Sequence, residues 1–286
     1  NHKNPGEVVP RRFLEAIAGK DQNLPKRGSG RLTLARRMID SSNPLLSRVI
    51  VNRLWHHHFG QGIVASPDDF GVQGQKPSHP QLLDWLATEL VRQKWSLKKI
   101  HRLRVLASTY RQSRRETEAG RELDPENVLL HRMPIRRLEA EAIRDSLLKI
   151  SGRADNRMYG RGTMPHLTAH MTGRGRPRRS GPLDGEGRRS IYINVRRNFL
   201  TPFFLAFDYP QPFTTIGKRS VSNVPAQALS MMNNPFVKQQ TELWAQRALR
   251  SKDQSAQQRV QRLYLDAFGR LPSDAEMEFA LEFLKQ

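Results

Sequence analysis

NPLLSRVIVNRLWHHHFGQGIVASPDDFGVQGQKPSHPQLLDWLATELVRQKWSLKKIHRLRVLASTY, residues 43–110, reads as three helices and one ordered loop. Asn43 offers a side-chain oxygen to the unbonded amides of a first helical turn, and Pro44 fits the position whose amide has no partner in any case. The pattern runs to Phe59 and Gly60 stops it. Leu45, Leu46, Val49, Ile50, Val51, Leu54, Trp55 and Phe59 point almost all round the wheel, which predicts a central helix. Residues 61–80, rich in Gly and Pro, predict an ordered loop. Ser78 and Pro80 open a helix over 80–93 with Leu82, Leu83, Leu86 and Leu90 inward. Ser96 opens another over 97–109, with Leu97, Ile100, Leu103 and Leu106 as its buried stripe.

Working outward, helical spacing recurs at 10–19 and 31–41, separated by the linker KDQNLPKRGSG, and again at 136–152, where Gly152 ends the run. Residues 153–190 lose periodicity and read as an Arg/Gly/Pro-rich insertion, part of it mobile. RRSIYINVRR, residues 188–197, reads as a strand with Ile191, Ile193 and Val195 on one side. Helices follow over 225–233, from Asn234 and Pro235 to Leu249, over 255–268 and over 273–286, the last opened by a Ser273/Glu276 capping box. The expected fold is mainly α: a multi-helix orthogonal or antiparallel bundle with long ordered loops and one or two short strands near 188–197. Its expected parts are an N-terminal helical core (1–152), the insertion (153–190) and a C-terminal helical part (191–286) packing on that core.

The 286 residues carry 48 Lys and Arg against 27 Asp and Glu, a formal net charge of +21. Such a balance asks for an anionic partner. The excess is +11 over residues 1–150, +9 over 151–235 and +1 over 236–286, so the middle is densest per residue. Of the basic residues 36 are Arg and 12 Lys. That bias suits bidentate contacts to carboxylate, phosphate or sulfate, and it is equally what a G+C-rich genome writes. With 0 Cys, disulfides, thiolate catalysis, Cys-ligated zinc and covalent haem attachment are excluded within the segment. No apolar run approaches the roughly 18 residues of a membrane span. The chain begins at Asn1 and stops inside the helical pattern EMEFALEFLKQ, so both ends are expected to lie within a longer protein.

NPLLSRVIVNRLWHHHFGQGIV, DDFGVQGQKPSHPQLLDWLATEL, RRLEAEAIRDSLL, RRSIYINVRRN and VPAQALSMMNNPFV occur in this order between an NHKNPGEVVPR opening and an FGRLPSDAE close. Together they resemble the planctomycete-type PSD domain, domain of unknown function 1553. The resemblance implies the C-terminal part of a large exported protein, periplasmic or at the cell surface, with an upstream cytochrome-c-like module and a companion domain. It implies a connection to polysaccharide breakdown or surface electron transfer, and it brings no catalytic residues. Any haem would belong to that upstream module, and no cofactor is expected in this segment.

Arg48, Asn52 and His56 recur every four residues and form one polar line on an otherwise apolar helix. A polar line inside a core must be paired. It reads either as a buried anion or carboxylate site, or as a tie that fixes the 61–80 loop, for example through Asp68 and Asp69. Arg174, Arg176, Arg178, Arg179, Arg188 and Arg189 read either as a clamp for a polyanion or as a solvated insertion. No aromatic side chains alternate with them as in single-strand nucleic-acid platforms. His56, His57 and His58 are consecutive, diverge by about 100° on a helix and cannot share an ion. His166 and His170 have metal-pair spacing, but Leu167 stands where a zinc protease carries its general base. No metal site is expected.

Asp68, Asp69 and Asp84 offer carboxylates for a glycosidase-like pair whose separation spacing cannot give. No nucleophile elbow, phosphate loop or dinucleotide fingerprint is present. Three function classes follow. The first is a non-catalytic helical module binding companion domains of its own polypeptide or an anionic polysaccharide. The second is a glycan-active enzyme centred on Arg48 and the Asp68/Asp69 loop. The third, nucleic-acid binding, rests on charge alone.

Overall fold

The computed structural model describes residues 4, 6–7, 9–22, 28–40, 42–250 and 255–285. Residues 23–27 of the predicted linker, Ser41, Gln286 and most of the first five residues lie outside that description. The described chain is mainly helical, as expected, and divides into two compact units, Asn1–Arg136 and Arg137–Gln286.

The first unit contains α1 (Glu15–Ala18), α2 (Arg31–Met38), α3 (Pro44–Phe59), α4 (Pro80–Arg92), α5 (Leu97–Val105), α6 (Ser108–Arg111) and α7 (Glu118–Leu123). α3 begins and ends where the sequence places it. Asn43 Oδ1 accepts from the Leu45 amide at 3.0 Å, and Gly60 closes the helix in the left-handed conformation. α4 packs along α3, and α5 along α4. Val51, Ile63, Val64, Leu83, Leu86, Ala87, Leu90 and Ile100 form the buried core, with Trp55, Phe70 and Trp95 packed against it. Each such aliphatic side chain contributes about 1.5–3 kcal/mol of burial.

α5 departs from its predicted stripe. Ile100 is fully buried, whereas Leu97, Leu103 and Leu106 are exposed. Arg104, one turn after Ile100, takes the inward position and is 2% exposed. The helix also stops at Val105, and a separate turn, α6, follows. α1 is shorter than the predicted 10–19 helix, and Leu32, Leu34 and Met38 of α2 are exposed rather than core.

The second unit contains α8 (Ala140–Ser151), α9 (Pro202–Ala206), α10 (Pro225–Asn233), α11 (Pro235–Leu249), α12 (Ala256–Phe268) and α13 (Asp274–Phe283). α8 packs on α11 and α9. Its core joins Ala140 and Leu148 to Phe203, Phe204, Phe207, Phe236 and Val237. Phe203 sits at the centre of this ring cluster, 5.1 Å from Phe207 and 5.8 Å from Phe236 between centroids. Asn234 caps α11 by accepting from the Phe236 amide at 3.0 Å. Ser255/Gln258 and Ser273/Glu276 form capping boxes on α12 and α13.

The strand over 188–197 does not form. Residues Ser190–Tyr192 make a 3-10 turn, and the only pairings nearby are isolated parallel bridges, Asp155 to Arg188 and Thr163 to Ile193. Alternation of Ile191, Ile193 and Val195 suggested one buried face; instead Ile193 packs on the core while Ile191 is 77% exposed. No neighbouring strand is present among the described residues to pair this segment, and α8 captures it through side chains instead.

The capture runs through Arg144, on the inward face of α8 with Ala140 and Leu148. Its Nη2 donates to Asp184 O at 2.7 Å, and its Nη1 to Arg188 O at 3.0 Å and Ser190 Oγ at 3.1 Å. Asp145 Oδ1 accepts from the Ser190 amide and hydroxyl, both at 2.7 Å. Gly185, at φ +58°, passes so close that a Cβ would stand 2.6 Å from Arg144 Nη2.

Replacing Arg144 by Met leaves the Asp184 and Arg188 carbonyls buried without a donor, which costs about 2–4 kcal/mol. Urea unfolding of Arg144→Met is expected to show that loss. A midpoint unchanged from the parent would mean the cradle does not depend on the guanidinium.

Candidate functional site

α3 carries the polar line into the first unit, and its members separate by role. Asn52, 0% exposed, clasps the loop: Val64 N donates to its Oδ1 at 2.8 Å and its Nδ2 donates to Val64 O at 2.9 Å. The clasp requires close backbone approach, since a Cβ on Gly62 would lie 2.5 Å from Val64 O and 2.7 Å from Asn52 Nδ2. Arg48 turns the other way. Its Nε donates to Asp84 Oδ1 of α4 at 2.7 Å and its Nη1 to Pro44 O at 2.7 Å.

The loop carboxylates do not join them. Asp68 pairs with Arg53 at 3.5 Å, on an exposed part of α3. Asp69 Oδ1 accepts from the Gly71 amide at 2.7 Å, and Ser66 Oγ bonds Asp69 O and the Gln75 amide, both at 2.8 Å. The loop is therefore tied as the structural reading of the line expects, with Asn52 and the Val64 backbone as the tie instead of Asp68 and Asp69. Arg48, Asn52, Asp68 and Asp69 make separate local contacts in this geometry, and Asp84 is bound to Arg48.

A denser polar cluster lies one turn further along α3. His58 Nε2 and His101 Nδ1 of α5 are 2.8 Å apart, their rings stack at 5.0 Å, and Tyr110 meets His58 edge-on at 5.4 Å. Arg104 Nη2 donates to Val51 O at 2.7 Å and its guanidinium lies 5.6 Å from the Trp55 ring centre. Its Nε and Nη1 are buried and meet no acceptor. Burial draws the Arg104 guanidinium down to about 10, so it stays charged at neutral pH. Burial, then Arg104, His101, Arg136 and His57, push the His58 imidazole down to about 4.

In the second unit the predicted arginine group divides. Arg188 is buried, donates through Nη2 to Tyr159 O at 2.8 Å and stacks 4.0 Å over the Tyr192 ring. Arg189 lies 3.7 Å from Asp145. Both serve the same cradle as Arg144, and Arg153 reinforces it by donating from Nη2 and Nε to Asp184 Oδ2 at 2.6 and 3.1 Å. Arg174, Arg176, Arg178 and Arg179 are exposed and pair with no described carboxylate; only Arg176 bonds the chain, donating to Met171 O at 2.6 Å. The segment bearing them leaves and returns through fixed points, Leu167 N to Ser180 Oγ at 2.8 Å and Gly181 N to Pro165 O at 3.0 Å.

His166 Nδ1 faces Gly181 O at 3.2 Å, and His170 is exposed three residues before Gly173. Among the described residues no group of three or more His, Asp or Glu side chains is placed to hold a metal ion. No helix among them is long and apolar enough to cross a membrane.

Sequence reading missed Arg104 and Arg144 as organising groups. A signal existed: each falls on the apolar stripe of its helix, four residues after a buried Ile100 or Ala140. It also missed the clamp of Asp208, whose carboxylate accepts from Arg137 and from the Ser222 amide at 2.8 Å and hydroxyl at 2.9 Å. Arg137 and then the Ser222 amide hold that carboxyl below its ordinary range. Nothing in the spacing of 137, 208 and 222 announces the contact.

These features define a strongly basic, mainly helical domain whose buried arginines are anchored on backbone carbonyls. The chain belongs to the family described as protein of unknown function (DUF1553), PSD1, which matches residues 30–284. No curated protein and no solved structure matches the chain.

Two outcomes follow from α3. Asn52→Leu strands the Val64 amide and carbonyl and is expected to lower stability by about 2–4 kcal/mol. Arg48→Met breaks a pair whose partners are 31% and 56% exposed, and is expected to cost under about 1 kcal/mol. Urea midpoints measure both, and the reverse ranking would show that the ion pair, not the clasp, holds the loop.

The second outcome is acid sensitivity. His58 titrates near 4 when folded and near its ordinary 6.5 when unfolded, so the unfolded chain binds more protons between those values. Stability is whole above pH 6.5 and falls as pH drops toward 4. His58→Gln is expected to flatten that slope relative to the parent, measured by urea midpoints at half-unit steps of pH.

Proposed function

We propose that this domain is a non-catalytic binding module for an acidic polymer, with an anionic polysaccharide as its partner. The observation that carries this reading is the set of four exposed arginines, Arg174, Arg176, Arg178 and Arg179, without carboxylate partners on a segment anchored at both ends. Anchoring lowers the ordering cost of engaging a ligand, and guanidinium forks match carboxylate and sulfate oxygens. The sparse aromatics around them weigh against single-stranded nucleic acid. Further support for a binding role over a glycan-cleaving one is that Asp84 and Asp68 are engaged by Arg48 and Arg53. Asp69 is occupied by the loop backbone.

The family resemblance supports placing the module in an exported multidomain protein. Companion domains, including a cytochrome-c-like one that carries the haem, are its neighbours in that proposal. A signal peptide and a CxxCH motif upstream of Asn1 in the full gene are the expected finding, and a start codon directly before Asn1 would overturn the placement.

The binding role is tested on heparin and polygalacturonate columns. The parent is expected to need more salt for elution than a variant with Arg174, Arg176, Arg178 and Arg179 changed to Gln, with Arg188 left intact because it is buried. Identical elution of the two would sink the clamp. New reducing ends released from polygalacturonate would replace the binding role with an enzymatic one.

A further inference from the structure

The first unit contains a cavity of about 230 Å³ between residues 11–13 and the start of α2. Ten residues line it; four are arginines, Arg11, Arg12, Arg31 and Arg37, and none is Asp or Glu. Little of this charge is neutralised. Arg12 pairs with Glu15 at 2.8 Å, while Arg11 Nη1 donates to a carbonyl, Gly28 O, at 2.7 Å and so keeps its charge uncompensated. Arg31 makes no ion pair with a described residue. Asp40, the carboxylate whose charge senses Arg37, is engaged by the Ser42 amide at 2.9 Å and hydroxyl at 2.6 Å.

Apolar side chains share the lining with the arginines, and one of them is held in place. They are Phe13 and Leu34. Gln22 holds the Phe13 backbone at both polar atoms, accepting from its amide at 2.8 Å and donating to its carbonyl at 3.0 Å. A further bond from Gln22 Nε2 to Gly19 O at 2.9 Å ties the same turn. Thr33 and Ser29 add hydroxyls to the lining. Room for roughly eight water volumes is room for one six-membered ring with its substituents. Concave shape, an apolar wall and a few convergent polar groups are the attributes of a small-ligand site.

We propose that this cavity binds a single ring-sized organic oxyanion, with Arg11, Arg31 and Arg37 as forks on its carboxylate or phosphate and Phe13 and Leu34 against its ring. The shared chemistry is an oxyanion carried on a compact ring, and Thr33 and Ser29 suit the hydroxyls of a sugar. This site belongs to the first unit and does not rest on the polymer-binding reading of residues 174–179, which lie in the second.

Isothermal titration of the 286-residue chain with glucuronate, glucose 6-phosphate, glucose and inorganic sulfate tests it. Glucuronate or glucose 6-phosphate is expected to bind, with glucose at least tenfold weaker because the forks then have no charge to meet. Whichever of the two charged sugars binds tighter identifies the oxyanion. Arg31→Gln/Arg37→Gln is expected to weaken binding tenfold or more while the thermal midpoint stays within about 2–4 °C of the parent, since Arg31 is exposed and Arg37 half-buried. The variant with Arg174, Arg176, Arg178 and Arg179 changed to Gln is expected to bind as the parent does. The proposal is overturned if neither charged sugar binds at millimolar concentration, if glucose binds equally, or if the double variant binds unchanged. Sulfate binding as tightly as the charged sugars would also overturn it, because the ring would then contribute nothing.

Discussion

A guanidinium taken out of water and set on backbone carbonyls organises the second unit. Arg144 is 4% exposed, and burial lowers it to about 10 against the opposing pull of Asp145 and Asp184. A buried cation is tolerated only when its donors are used and counter-charge is near. The segment 184–190 supplies the acceptors and one of the two counter-charges, Asp145 of α8 itself being the other, and it must then follow a path that delivers two carbonyls, a hydroxyl and a carboxylate to one side of α8. Ser190, Arg188 and the Gly185 turn have their positions because Arg144 does. The same demand explains why residues with strand-like composition form a 3-10 turn: side-chain anchors at Asp184 and Ser190 fix the backbone where a ladder would otherwise have to.

The first unit uses a neutral version of this device. Asn52 uses its side-chain oxygen on the amide of Val64 and one Nδ2–H on its carbonyl. Because amide groups lose less on burial than ions do, the clasp sits at 0% exposure without counter-charges. Arg104 shows the charged alternative in the same unit, less completely satisfied, with Nε and Nη1 lacking acceptors. The burial of His58 and then the Arg104 charge keep that imidazole neutral, so the histidine stack is sensitive to acid while the uncharged Asn52 clasp is not.

Helix positions were legible where a local rule decides them. Asn43 with Pro44 and Asn234 with Pro235 mark helix starts through bonds two residues long, and Gly60 and Gly152 mark ends through left-handed backbone. The family, too, was legible, because its motifs are long and ordered. What could not be read was which polar side chain meets which. Arg48 finds Asp84 across 36 residues and Arg137 finds Asp208 across 71, and periodicity says only that such residues share a face. Apolar counting failed at α5 for a related reason: Leu97, Leu103 and Leu106 have the spacing of a core stripe, but the inward direction was already taken by Ile100 and Arg104. Alternation over 188–197 misled because a strand is defined by its partner, which no single stretch contains. The cavity beside α2 is invisible in sequence, since Arg11 and Arg37 converge only after the chain turns back.

The two clasps differ in how much chain they close. Asn52 reaches Val64 over 12 residues, whereas Arg144 reaches its acceptors over 40 to 46. Closing the longer loop costs about 1 kcal/mol more chain entropy, and it is complete only once residue 190 exists. During synthesis the first unit can therefore complete its α3 clasp from a short emerging stretch. Arg144, by contrast, leaves the ribosome well ahead of the carbonyls that will desolvate it, and α8 spends that interval with its arginine still hydrated.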